Sequence, residues 1–383
     1  VEAATATATA TVAGSGEAGD GEEVEELFSA VLVANGHFHA PVIPRLAGRD
    51  EFERAGGQVV HSSLYRAPPD EWRGKRVVVI GSGPSGTDIS LELADAGCDV
   101  TISIRAGPDA FPQPPSPRLR YARRVSRLNR DLSVTFDDGT TSPPVAAVLL
   151  ATGYDYAFPF LESDLVTVSG VDSGVDNDVD SGVNGSDGDS ERDSAAAAAG
   201  EKRVGPLYKQ LFSTRTPTLA FIGLPFKVVP FPLCEAQAAL VAAVLTRTAT
   251  LPPAEQQEAE AASELAALRR AGGRNLHMLG DAQWGYVREL IEMRGDTAPK
   301  RLRLLQRLNA EVSSRRRILP LTYRQSNYRL YFDDADEEGG GYWTVDHPTH
   351  PLTKRETCIS AEIAPDEQRV DSGAAGAVSS ARI

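Results

Sequence analysis

Three glycines and the strand ahead of them set the chemistry open to this chain. Gly81-Ser82-Gly83-Pro84-Ser85-Gly86 has the G-x-G-x-x-G spacing and directly follows Val77-Val78-Val79-Ile80. That apolar, β-branched run is the pattern of a strand buried on both faces. Gly81 permits a tight turn, Gly83 lets backbone approach a pyrophosphate, and Gly86 lets the next helix lie close to the strand. The spacing predicts a helix over 85–96 that stops at Gly97, then a second strand over 99–104. Free N–H groups and the positive dipole end of that helix make an anion site. An NAD site would place Asp or Glu at the end of the second strand. Here Ser103 and Arg105 stand there, a hydroxyl and a guanidinium suited to a 2′-phosphate. The dinucleotide expected is therefore NADP.

The elements that position this unit come from a chain of 383 residues, long enough for two substantial cores. The net charge of −14 is uneven: residues 1–26 hold seven acids and no base, and residues 163–201 hold ten acids and one Arg. The remainder is close to neutral, which argues against a nucleic-acid partner. Cys98, Cys234 and Cys358 are odd in number and far apart, giving neither a disulfide framework nor a metal site. His37 and His39 lack a third ligand nearby, so no metal is expected. No apolar run approaches the ~20 residues of a membrane span, and no secretory signal opens the chain. A reducing, cytoplasmic location is expected. The first residue is Val, so the natural start is expected to lie upstream.

Residues 1–26 read as disordered low-complexity sequence, and 163–202 as a disordered acidic insert. A buried strand is expected at the end of the run 28–34, closing at Asn35-Gly36-His37. Residues 106–126, rich in Pro and Arg, read as a surface excursion over the NADP site. Residues 132–136 alternate as a strand, Asp137-Asp138-Gly139 signals a hairpin turn, and 145–151 form another buried strand. Two strands thus close alike, Val-Leu-Val-Ala-Asn-Gly at 31–36 and Val-Leu-Leu-Ala-Thr-Gly at 148–153. The echo suggests two dinucleotide-binding units in one α/β chain. Only the second shows its glycine fingerprint; upstream of Val31 there is no strand–GxGxxG–helix. Later, 218–223 reads as a strand, a helix starts near Cys234, residues 252–270 and 281–311 read as helical, and 328–332 as a late strand.

At this point the chain resembles the flavin-containing monooxygenases, class B flavoproteins of the S- and N-oxygenating type. The resemblance rests on the NADP fingerprint, on Gly57-Gln58-Val59-Val60-His61-Ser62-Ser63-Leu64-Tyr65, and on Ala151-Thr152-Gly153-Tyr154 with Phe158-Pro159-Phe160-Leu161. Gly57, His61 and Tyr65 match the family pattern F-x-G-x-x-x-H-x-x-x-[F/Y]. Its Phe should fall at Ala55, and Phe52 replaces it through a short insertion. Baeyer–Villiger enzymes carry Trp at the last position, so Tyr65 favours heteroatom oxygenation.

The resemblance implies two Rossmann-like domains of the FAD/NAD(P)-binding type, the first incomplete at its N-terminus. Residues 27–48 would end the first half of the FAD domain, 49–150 would form the NADP domain, and 151–162 with 203–335 the second half of the FAD domain. Residues 336–383 would be an irregular tail. It implies that NADPH reduces FAD and that O2 then gives a C4a-hydroperoxyflavin, attacked by a nucleophilic sulfur or nitrogen of a small molecule. Ser82, Gly83, Ser85, Ser103 and Arg105 would contact NADP. Ala34 to His37, including Asn35 and Gly36, would lie near the flavin–NADP junction with His61 and Ser62, with Thr152 and Gly153 closing the second unit. Glu235 and Gln237 would approach the flavin. No acid, base or nucleophile is assigned. Against this stand two other readings, a related flavoprotein (N-hydroxylase, Baeyer–Villiger oxygenase or disulfide reductase) and an NADP-binding fragment without catalysis. A reductase would need a redox-active Cys pair, which the sequence lacks.

Overall fold

The Arg76–Ile80 strand sits at the centre of a five-stranded parallel sheet, ordered Gln58–His61, Ala147–Leu150, Arg76–Ile80, Asp99–Ser103 and Leu119–Ala122. This computed structural model describes residues 6–10, 24–105, 114, 116–162, 164–169, 201–270, 272, 275–318, 323, 326–332, 341–346 and 379–381. They divide into two compact units, Val1–Gly295 and Asp296–Ile383.

Strand periodicity explains how the first unit is layered. Val77 and Val79 face one side of the sheet, where Ile89, Leu91 and Leu93 of the Pro84–Asp95 helix pack with Val100, Ile102 and Leu149. Val78 faces the other side, among Phe52, Val125, Leu128, Val134, Val148 and Leu150. Successive residues point to opposite faces, and both faces are covered, so the run has no polar residue to offer.

A second sheet is ordered Leu207–Tyr208, Phe212–Ser213, Leu219–Phe221 and Val31–Val33, the last pair parallel and the others antiparallel. The chain crosses between the two sheets twice. Ala40–Pro41 leads out and Tyr154–Asp155 leads back, and these two segments pair antiparallel. The Pro230–Leu245 helix follows the second sheet and packs against the Gln283–Met293 helix. It ends in a Schellman motif, Thr248 N–H to Ala243 O at 2.8 Å and Arg247 N–H to Val244 O at 3.1 Å. Arg247 occupies the left-handed position there, φ 60°, where glycine is unstrained. Arg247→Gly is expected to raise the free energy of unfolding by about 0.5–1 kcal/mol, part of the strain relief being offset by losing a cation at a helix C-terminus. Denaturant melts of the two proteins check it.

Several expectations are corrected. Within the first 26 residues, Ala6–Ala10 pairs antiparallel with Val24–Phe28, because Ala and Thr alternate with the period of a strand. The acidic insert is bounded more tightly than 163–202: Thr167–Ser169 pairs with Arg203–Gly205, and Glu201 is buried against Arg269. Residues 170–200 lie outside the described residues. The expected excursion over 106–126 includes the Leu119–Ala122 edge strand of the parallel sheet, set by the apolar alternation of Leu119 and Tyr121; residues 106–113 lie outside the described residues. The helical run 281–311 breaks at Gly295, φ 88°, which ends the first unit. In the second unit, which begins at Asp296, the expected tail from 336 holds two strands. Gly341–Asp346 and Ser379–Ala381 flank Asn327–Phe332. The Arg301–Ile318 helix of that unit buries Leu304 and Leu308 against Tyr328 and Leu330.

Candidate functional site

Ligands of open parallel sheets bind beyond the carboxyl ends of the strands. On the five-stranded sheet that edge carries Gly81 to Gly86, His61-Ser62 and Thr152-Gly153, each following a strand end. The glycine turn is shaped as the chemistry needs. Gly81 has φ 112°, and a Cβ there would lie 2.5 Å from the Ala151 carbonyl oxygen. A Cβ at Gly86 would collide with the Gly81 carbonyl. Around Gly83 nothing lies within 4 Å of the Cβ position, so its side is open to a ligand. No side chain caps the helix that begins at Pro84, leaving the N–H groups of Ser85 and Gly86 for an anion. Ser82 supports the turn through its carbonyl, which accepts from Thr87 Oγ1 at 3.3 Å.

His61 is buried beside this turn and stacks edge-on with Tyr154, centroids 5.3 Å apart. Its Nδ1 accepts from the Ser63 N–H at 3.0 Å, so the neutral ring carries its proton on Nε2. That Nε2 lies by the Gly153 backbone with no hydrogen bond of proper geometry among the described residues. Burial pushes the His61 pKa down, with the Gly153 backbone opposing the shift. The result is a buried donor without a hydrogen-bond partner among the described residues, a fit for a polar ligand atom.

The second sheet brings its own carboxyl edge near the first, Phe38 and His61 both meeting the Tyr154 ring edge-on. Asn35 and Gly36 follow Val33, and Gly223 follows Phe221. His37 donates from Nδ1 to the Gly223 carbonyl at 2.9 Å, and burial lowers its pKa as well. Its ring meets Phe38, Tyr156 and Phe226 edge-on. The two edges are tied together where the chain crosses. Val42 N–H donates to Gly153 O at 2.9 Å, and Thr152 Oγ1 donates to Val42 O at 2.6 Å.

A family model described as flavin-binding monooxygenase-like matches residues 7–111 and 120–173. Flavin-containing monooxygenase FMO GS-OX-like 9 of Arabidopsis thaliana is 34% identical over 249 residues, 63% of this chain and 46% of that protein. The structure of S-allyl-L-cysteine S-oxygenase from Allium sativum aligns with TM-score 0.63 and 31% identity, covering 82% of this chain and 64% of that one. Tmm from a Pelagibacter strain has the same fold, with TM-score 0.63 at 22% identity, covering 87% of this chain and 64% of that one. Over residues 7–111 and 120–173 the chain is similar to the flavin-binding monooxygenase-like family. It spans about half the length of the Arabidopsis relatives it matches.

Members of this family use FAD and NADPH, and the family motif reads well against the structure. Phe52 does stand in for the phenylalanine that the pattern places at Ala55. It is fully buried, its ring fills the space where a Cβ of Gly57 would stand, and Gly57 N–H donates to Phe52 O at 3.0 Å. His61 meets the Tyr154 ring, while Tyr65 donates to Glu92 Oε2 at 3.0 Å on the Pro84–Asp95 helix. Tyr65 therefore braces the helix that follows the glycine turn.

Two expected ligand-binding side chains are used for structure instead. Ser103 is buried; its hydroxyl donates to Arg123 O at 3.0 Å and accepts from Val125 N–H at 3.1 Å. Gln237 is wholly buried; its Oε1 accepts from Gly223 N–H at 2.8 Å and its Nε2 donates to Tyr286 OH at 2.8 Å. Both roles depend on backbone that returns from distant sequence, which spacing cannot reveal. Glu235 is exposed on the same helix as Gln237, and Arg105 is exposed at the strand end. Missed by sequence reasoning were the ring contacts of Tyr154 with His61 and with Phe38, and that of His37 with Tyr156. The tyrosine follows the Ala-Thr-Gly closure by one residue and the histidine follows Ala-Asn-Gly by one, a shared position that could have flagged both.

Ser103 and Arg105 should therefore separate experimentally. Ser103→Ala is expected to cost about 1–2 kcal/mol of stability by leaving the Val125 N–H unpaired, with the NADPH/NADH affinity ratio unchanged. Arg105→Gln is expected to lower that ratio about tenfold, with little change in melting temperature. Titration of both nucleotides against each variant tests the pair.

Proposed function

We propose that this chain is the NADPH-binding and flavin-facing part of a monooxygenase that oxygenates nucleophilic sulfur or nitrogen in small molecules. The observation that carries the reading is the joining of two carboxyl edges through Val42, Thr152 and Gly153, with an open glycine turn on one and an open glycine closure on the other. Gly83, Ser85 and Gly86 would take the pyrophosphate on backbone N–H groups, and Arg105 the 2′-phosphate. His61 would donate from Nε2 to a polar atom of the nicotinamide end. Gly36 leaves the second edge free of side-chain bulk, since nothing lies within 4 Å of a Cβ there, and this edge fits a flavin ring. FAD, when bound, supplies reduction of O2 and transfer of one oxygen atom to the substrate. The protein's task is to hold the two cofactors edge to edge and keep water out, a role for the aromatic residues His37, Phe38, Tyr154 and Tyr156. A thioether is the favoured substrate class, because the Allium sativum protein is named for S-oxygenation of S-allyl-L-cysteine.

No helix among the described residues is long and apolar enough to cross a membrane. A cytoplasmic location is part of the proposal, supported by unpaired cysteines.

Absorbance of the purified chain with added FAD, followed by anaerobic NADPH, tests the reading. A bound flavin that bleaches, and S-allyl-L-cysteine sulfoxide formed once air is admitted, is the expected result. NADPH binding without flavin reduction would favour a binding module without catalysis.

A further inference from the structure

The Ala254–Arg270 helix carries an apolar stripe, Ala261, Leu265 and Leu268, spaced i, i+4 and i+7. Such a stripe normally packs shut against the body of a protein. Here no residue of the helix is buried. The stripe lines a cavity of about 230 Å³ instead, and Arg203, Val204, Pro206, Leu207, Thr214 and Leu276 line the same space. Gln210 and His277 complete its polar lining together with Arg215, Glu258 and Glu264.

One charged group in that cavity lacks a partner. Arg203 is half-buried, and its guanidinium makes no hydrogen bond or ion pair among the described residues. Burial first, then the Arg269 charge, push its pKa down, with Glu201 opposing. A cation is thus held where a cation is costly. Glu201 cannot serve it directly, because both its oxygens accept from Arg269, at 2.8 to 3.1 Å. Glu264 accepts from Gln210 Nε2 at 3.1 Å, and Glu258 is exposed. Gln210 Oε1 in turn takes the Nδ1–H of His277 at 3.1 Å. The guanidinium is also held in place. A Cβ at Gly205 would stand 2.9 Å from both Nε and Nη2 of Arg203, so only glycine there lets the side chain lie across the strand.

We infer that this cavity is a binding site for a small carboxylate with an apolar body, the carboxylate on Arg203 and the body against Leu265, Leu268 and Leu276. A guanidinium fork takes a planar carboxylate in two parallel bonds, and the buried Thr214 adds a hydroxyl to the same lining. The apolar remainder of the lining selects against a bare inorganic anion, which would gain nothing from it. At about 30 Å³ per water-sized group, the space holds a ligand of about eight non-hydrogen atoms. None of these residues is assigned to either nucleotide above, so the site stands or falls apart from the functional reading.

The probe is 4-methylpentanoate, which matches that size, with 4-methylpentanamide as its uncharged counterpart of the same shape. Both are titrated into the full 383-residue chain and followed by the methyl resonances of Leu265 and Leu276. The carboxylate is expected to bind with a Kd on the order of 1 mM, and the amide at least about tenfold more weakly. Arg203→Gln is expected to weaken the carboxylate about tenfold or more and to leave the amide within about twofold. Ala261→Phe fills the space from a helix with no buried residue and leaves Arg203 in place. It is expected to abolish binding of both probes with the far-ultraviolet circular dichroism unchanged. Equal binding of carboxylate and amide, or equal carboxylate binding by the wild type and Arg203→Gln, would overturn the inference. So would carboxylate binding that Ala261→Phe leaves intact, or no methyl shift at about ten times the expected Kd. Sulfate that displaces the carboxylate at equal concentration would also overturn it, reducing the site to a bare anion patch.

Discussion

Gly83→Ala is expected to leave the protein folded and to weaken NADPH binding about 10- to 100-fold. The three fingerprint glycines differ in what surrounds them. At Gly81 a methyl group would press on the Ala151 carbonyl at φ 112°, and at Gly86 it would collide with Gly81. Substitution at either strains the fold itself, by roughly 1–3 kcal/mol or more. Gly83 has φ −67° and ψ −178°, a conformation open to any residue, and its Cβ position is empty. A methyl there meets only what binds at this turn. Pushing a pyrophosphate off one or two charge-assisted N–H bonds costs about 1.5–3 kcal/mol, which is the affinity loss given. Isothermal titration with NADPH and a thermal melt decide it. An alanine variant that binds NADPH like the wild type would mean that the dinucleotide does not approach this turn.

Acidification is expected to destabilise the protein through His277 more than through any other histidine among the described residues. The ring lies buried against Tyr156. Nε2 accepts from Val204 N–H at 2.9 Å, and Nδ1–H donates to Gln210 Oε1 at 3.1 Å. Both nitrogens are therefore satisfied only in the neutral ring. Burial, with the nearby Arg203 guanidinium, pushes its pKa down to about 3. The unfolded chain takes up this proton near pH 6.5, so unfolding binds more protons than the native state below that pH and stability falls with pH. The full contribution is present above pH 6.5 and is lost progressively as pH falls toward 3. Between pH 7 and pH 5 this one group should remove about 2 kcal/mol. His277→Gln keeps an acceptor and a donor without the titration, and its melting temperature should fall less over the same interval. Equal acid sensitivity in both proteins would assign the loss to carboxylates.

What could be read from the sequence is what is local. Strand 76–80, the glycine turn and helix 84–95 are contiguous, and each glycine's role follows from its neighbours in the chain. The paired closures at 36 and 153 were legible for the same reason. The bonds of Ser103 and Gln237 could not be read, because a side chain's partners are chosen by chain that returns from elsewhere, Val125 in one case and Gly223 with Tyr286 in the other. Short strands failed for a related reason. Leu119–Ala122 and Gln58–His61 have four residues each, too few to show a period, and are held by the ladder rather than by propensity.

The double crossing of the chain has a mechanical meaning. A single linker would act as a swivel between the two sheets. Here Ala40–Pro41 and Tyr154–Asp155 lie side by side as a ladder, fixed by Thr152 and Val42 at one end and by Lys202, which donates to Tyr154 O at 2.7 Å, at the other. Two bonded straps can bend together but resist sliding past one another. The spacing of the carboxyl edges is therefore set by the protein's own bonds, and the nucleotides proposed above would spend no binding energy on closing it. If the proposed reading holds, mutations that loosen the ladder should weaken NADPH and FAD binding together.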